Sequence, residues 1–120
     1  MKLKEIVDML HLETRTKYDK PDIEVKKGYA SDLLSDVIAH SSEGDLWITL
    51  QIHHNIVAVA SMKEHAGIVI INGRVPDEEI INKAEAENIP IMLSKMPAFE
   101  LTGKLYSLGI TGMKKDVKGV

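Results

Sequence analysis

The chain has 120 residues, 44% of them hydrophobic but only 4% aromatic, and carries a formal net charge of −3. That length holds one ordinary domain, with a core filled by aliphatic side chains, and excludes two independent cores. The absence of cysteine excludes disulfides, thiolate metal sites and cysteine nucleophiles, and the interspersed charges lack the basic stripe of a nucleic-acid binder.

The longest uninterrupted apolar run, Ile56–Ala60, falls far short of the roughly 20 residues that span a bilayer. Glu5 and Asp8 interrupt the N-terminal apolar pattern, unlike the clean apolar centre of a secretory signal. No membrane association and a cytoplasmic location are expected.

Leu3, Ile6, Val7 and Leu10 recur at helical spacing and predict an amphipathic helix over the first dozen residues. Leu12–Tyr18 reads as a short strand, and Asp19-Lys20-Pro21-Asp22 as a turn. Ile23 and Val25 alternate with Glu24 and Lys26, which predicts a half-exposed strand near a sheet edge, broken by Gly28. Ser31 is placed to cap a helix whose buried stripe is Leu33, Leu34, Val37 and Ile38. Leu46–Leu50 shows little alternation, as expected of a strand covered on both faces, with Trp47 under a helix.

Ile56–Ala60 is β-branched, yet Asn55 as N-cap and the continuation Lys63-Glu64-His65 predict a helix. Ile68–Ile71 is the next buried strand. Pro76 and the acids Asp77, Glu78 and Glu79 open a helix with Ile80, Ile81 and Ala84 inward, and Asn88 closes it. Pro90–Leu93 is a short strand. Pro97 then opens a last helix with Ala98, Leu101, Leu105 and Leu108 inward and Gly109 as C-cap. The alternation predicts a three-layer α/β/α fold around a mostly parallel sheet of about four to five strands. Residues 1–110 are expected to form the single domain, and 111–120, with Lys114, Lys115 and Lys118, a polar basic tail.

Ligands of open parallel sheets bind beyond the carboxyl ends of the strands. Ser31, Gln51, His53, His54, Asn55, Asn72, Gly73, Arg74, Ser94 and Lys95 are the candidate ligand-binding residues of that rim, and Arg74, Lys27 and Lys95 could hold an anion. The helix starts at Ser31 and Asn55 suit a phosphate better than the acid-crowded start at Asp77. His53-His54 lacks the convergent spacing of metal ligands, so neither metal nor cofactor is expected. Thr102-Gly103-Lys104 lacks the leading glycine of a P-loop, and neither G-x-G-x-x-G nor G-x-S-x-G occurs. No catalytic activity is expected.

The runs GYASDLLSDVIAH, GDLWITLQIHHNIVAVA, GRVPDEE and FELTGKLYSLGI, spread over Gly28–Leu108, resemble the DRTGG domain family, and most closely its stand-alone members. The short motif that names the family is largely lost. Its Asp-Arg pair falls on Ile52-His53 and its Thr-Gly-Gly on Ile71-Asn72-Gly73, where only the last glycine survives. The family's domain is similar to the N-terminal, non-kinase domain of HPr kinase/phosphorylase. It also occurs in long phosphotransacetylases and beside CBS domains in regulated pyrophosphatases. The resemblance implies that fold and a non-catalytic regulatory or dimerising module, homodimeric, acting on a redox or central-metabolic enzyme system. The alternative is a sensor of a nucleotide or other anion at the rim. An exposed edge strand and the Ile56–Met62 helix are the two candidate dimer faces.

Overall fold

Ten elements follow one another among the described residues, 1–18 and 22–113 of the computed structural model. They are α1 (Leu3–Leu10), β1 (Glu13–Thr14), β2 (Lys27–Ala30), α2 (Leu34–His40), β3 (Asp45–Thr49), α3 (Asn55–Met62), β4 (Gly67–Ile70), α4 (Glu78–Ala86), β5 (Ile91–Leu93) and α5 (Ala98–Ser107). The predicted turn over Asp19–Pro21 and the lysines of the tail lie outside the described residues.

The strands form one sheet in the order β1-β5-β4-β3-β2, parallel throughout except for β1, which runs antiparallel to β5. From β2 to β5 each strand is laid beside the last in one direction. Right-handed crossovers therefore put α2, α3 and α4 on the same face. The burial pattern agrees. Val37, Ile56, Val57, Ile80 and Ala84 of those helices share a cluster with Trp47, Ile68, Ile70, Ile91 and Leu93. On the other face Leu3 and Ile6 of α1 and Leu101 and Leu105 of α5 pack on Leu46, Ile48, Val69 and Met92. Successive strand residues thus serve opposite layers, which is why the centre of β3 (Leu46–Ile48) and all of β4 and β5 read without polar alternation. The expected three-layer α/β/α architecture is the observed one.

Local chemistry moves several boundaries. The edge strand lies at Lys27–Ala30, not Ile23–Lys26, and Gly28 sits inside it, donating its N–H to the Thr111 carbonyl at 2.9 Å. Ile23 and Val25 instead bond the N-terminus, through Leu3 N–H to Ile23 O at 2.8 Å and Val25 N–H to Met1 O at 2.9 Å. Ser31 does not cap α2. Its hydroxyl accepts the Leu33 N–H at 3.3 Å in a local turn, and the helix begins only at Leu34. Of the α2 stripe, Val37 is buried, while Leu33 and Ile38 face solvent.

Asn55 is the first residue of α3 and not its cap. The cap work falls to His53, whose Nδ1 accepts the Asn55 N–H at 3.2 Å and whose carbonyl accepts the Ile56 N–H at 3.1 Å. Lys63-Glu64-His65 does not prolong α3, because Glu64 takes a left-handed φ of 54° and ends the helix. That turn sends His65 into the core. Asn88 (φ 58°) and Gly109 (φ 96°) adopt the left-handed conformation expected of residues that close α4 and α5. Ala98, expected inward, is exposed.

Candidate functional site

Over β2 and β3, the carboxyl rim is tied to itself. Asp32 Oδ1 accepts both the Thr49 hydroxyl and the Leu50 N–H at 2.8 Å. Gln51 donates its side-chain amide to the Asp32 carbonyl at 3.3 Å, and Arg74 donates to the Leu50 carbonyl at 2.8 Å. Trp47, fully buried, reaches the Ser31 carbonyl through its indole N–H at 2.9 Å. Gln51 and Arg74, expected to face a ligand, are therefore spent in holding loops together. What remains here is a small cavity of about 190 Å³, with Ser31, Asp32, Leu50, Asn72 and Ala98 on its walls.

A larger opening lies between the ends of β4 and β5, for a topological reason. The loop after β4 leads to α4 on one face and the loop after β5 leads to α5 on the other, so the two diverge over the sheet edge. This is the arrangement that creates ligand crevices in open α/β sheets. Backbone bonds from Gly73 N–H to Ser94 O and from Asn72 N–H to Met96 O, both 3.0 Å, join the loops at the base. Both central residues of the Asn72-Gly73 turn have positive φ, 59° and 68°. The crevice has a volume of about 470 Å³ and is lined by His11, Arg15, Gly73, Ser94 and Lys95 among others. Ser94 is buried and its hydroxyl accepts the Met96 N–H at 3.1 Å. Arg15 is ion-paired with Glu13, whereas Lys95 is exposed and has no ion pair among the described residues.

Three of the ten candidate residues, Gly73, Ser94 and Lys95, thus meet in the crevice, and Ser31 and Asn72 meet in the smaller cavity. His53, His54 and Asn55 stand exposed at the start of α3, the two rings stacked 4.2 Å apart, and line neither cavity. Among the described residues, no three His, Asp or Glu side chains are placed to share a metal ion. Sequence reasoning missed His11 and Arg15, which the antiparallel pairing of β1 with β5 brings to the crevice from the far end of the chain. The only sequence signal was for Arg15, a basic residue in a polar, β-branched strand. It also missed Asp32, whose signal was an Asp directly after the predicted cap Ser31, and which the structure leaves ahead of α2.

Lys27 belongs to the opposite edge. As the first residue of β2 it pairs with the fully buried Asp45 at 2.7 Å, and Asp45 also accepts the Ser42 N–H at 2.7 Å. Beside them His65 Nε2 lies 2.8 Å from the Ser41 hydroxyl, and that hydroxyl donates to the Val37 carbonyl at 2.6 Å. The Ser41 proton being so engaged, the imidazole proton is assigned to Nε2. Burial of the ring pushes the pKa of His65 down to about 4.

No family model matches the chain, and no curated protein matches it in sequence. In structure it is similar to the CBS and DRTGG domains of the regulatory region of Clostridium perfringens pyrophosphatase, solved with the activator diadenosine tetraphosphate. The TM-score is 0.74 at 19% identity, over 96% of this chain and 51% of that one. The chain therefore spans about half the length of that neighbour. At this identity the likeness is one of fold, and it agrees with the resemblance carried by the Gly28–Leu108 runs. The chain has a DRTGG-like α/β fold.

Proposed function

We propose that this chain is a non-catalytic regulatory module that senses an anionic small molecule, of the nucleotide polyphosphate class, in the crevice between β4 and β5. The observation that carries the reading is the convergence of His11, Arg15 and Lys95 on one opening at the carboxyl edge of the sheet, where the one acid, Glu13, is paired with Arg15 and leaves Lys95 as the uncompensated charge among the described residues. Its volume of about 470 Å³ lies within the roughly 300–1,000 Å³ typical of small-molecule sites. The neighbour of like fold is a regulatory region that takes a nucleotide activator, which supports the choice of ligand class. The Ser41–His65 pair does not argue for catalysis, because both side chains are buried and the hydroxyl is held by a backbone carbonyl. That the regulated system is a redox or central-metabolic enzyme of the cytoplasm is the finer part of the proposal, and it rests on the resemblance to stand-alone DRTGG domains.

Calorimetric titration with ATP, diadenosine polyphosphates and pyrophosphate tests the site. Binding that weakens at least tenfold in Lys95→Ala and in Arg15→Ala, with the fold intact by circular dichroism, is the expected result. Loss of a charge-assisted hydrogen bond of about 1.5–3 kcal/mol has that consequence. No binding at millimolar ligand, or binding indifferent to both changes, overturns the reading.

A further inference from the structure

The outer face of α5 is built as though something lies on it. Leu101 and Leu105 point into the core. At 100° per residue, Gly103 stands about 180° from the direction midway between them, at the centre of the exposed face. A glycine in a helix interior is costly relative to alanine, so it calls for a reason. None exists inside the fold, because a Cβ at Gly103 would meet nothing within 4 Å. Flanking it on the same face are Phe99, 87% exposed and the only phenylalanine of the chain, and Tyr106, 66% exposed. Solvent gives no benefit to a bare glycine between two bare aromatic rings. A second helix crossing closely at Gly103 does.

We infer that this face is a homodimer interface, in which α5 packs antiparallel on α5 of a second copy across a two-fold axis near Gly103. Three features make the face complementary to itself. Phe99 and Tyr106 lie on either side of Gly103, so the two-fold brings each Phe99 beside the other copy's Tyr106. Next to Tyr106 is a mainly apolar groove of about 190 Å³ between α5 and the β2–β3 edge, with Ala30, Ile48, Thr102 and Ile110 on its walls. It offers a seat for the incoming Phe99 ring, and the symmetry fills both grooves at once. Glu100 and Lys104 flank the face and have no ion pair among the described residues. Antiparallel packing sets Glu100 of each copy against Lys104 of the other.

The two faces expected from sequence serve less well. Most of α3 is buried in its own layer, with Ile56, Val57, Val59 and Ala60 inward. The β2 edge already gives its Gly28 N–H to Thr111.

Sedimentation equilibrium between about 1 and 200 µM tests the interface, with thermal melts at the lowest concentration reporting the isolated fold. A wild-type dimer is expected, with Phe99→Glu and Gly103→Leu monomeric and as thermally stable as wild type when dilute. Gly103→Ala separates interface from fold, because it should raise the dilute melting temperature by improving helix propensity while weakening dimerisation at least tenfold. Glu100→Lys should weaken the dimer, and adding Lys104→Glu should restore it. A wild-type monomer throughout the range overturns the inference, and so does a dimer unaffected by Phe99→Glu and Gly103→Leu.

Discussion

His65 is a buried imidazole, and burial favours its neutral form. Its ring packs edge-on against Trp47, 5.6 Å between centroids, and its Nδ1 has no hydrogen-bond partner among the described residues. With a native pKa lowered to about 4 against an unfolded value near 6.5, the unfolded chain binds the proton first as pH falls. The stabilisation is therefore complete above about pH 6.5, declines between there and about pH 4, and has no further to fall below that. On the order of 2 kcal/mol is at stake, after allowance for partial solvent screening. Urea unfolding at pH 7 and pH 4.5 should show wild type losing more stability than His65→Gln, which keeps a donor for Ser41. Equal losses would place the acid sensitivity elsewhere. A second residue-scale prediction concerns Asp32, which gathers the Thr49 hydroxyl and the Leu50 N–H. Asp32→Ala should cost about 1 kcal/mol by leaving both donors without it, and should abolish the exchange protection of the Leu50 amide. Asp32→Asn, which retains an acceptor oxygen, should keep most of that protection.

Elements of this fold differ sharply in how firmly they are held. Strands β3 and β4 are buried along their whole length, between neighbours on both sides. By contrast, β1 is two residues long, exposed at both and paired on one side only. Local opening follows the density of such contacts. Native-state hydrogen exchange should therefore find the amides of Trp47, Ile48, Ile68 and Val69 exchanging only through global unfolding. Those of Glu13 and Thr14 should exchange through a local opening of much lower free energy. Uniform protection across the sheet would contradict this ranking. The ranking bears on function, because β1 carries Arg15 at its end and so frames the proposed ligand crevice with the least stable strand. A ligand bridging Arg15 and Lys95 would tie that strand down, and protection at Glu13 and Thr14 should rise on saturation.

At the scale of the whole molecule the two proposals occupy different places. The crevice lies at the carboxyl ends of β4 and β5, and the α5 face lies over the β2–β3 side of the sheet. The two are joined by the loop after β5, since Lys95 precedes α5 by three residues. A ligand held at Lys95, as proposed, would contact the segment that leads directly into the proposed dimer helix.

The layer architecture was legible in the sequence because burial on both faces of a parallel sheet writes continuous apolar runs, as in Leu46–Ile48 and Ile68–Ile71. Helices on its faces write period-3.6 stripes, as in Leu101 and Leu105. Punctuation was legible where one residue's backbone preference decides it, as at Asn88 and Gly109. The caps of α2 and α3 were not, because Ser31 and Asn55 compete with neighbours for the same few N–H groups, and a shift of one or two residues changes which side chain is in reach. The candidate crevice was legible only in half. Gly73, Ser94 and Lys95 stand at strand ends that any parallel sheet brings to one edge. His11 and Arg15 reach that edge through an antiparallel pairing of two residues per strand, too short to leave a pattern. Sequence thus determined which strands are buried and in what order the elements come, since those follow from local chemistry. Tertiary structure alone decided which distant charges share a crevice and which helix face is left bare, since these depend on strand order and on where each loop crosses the sheet.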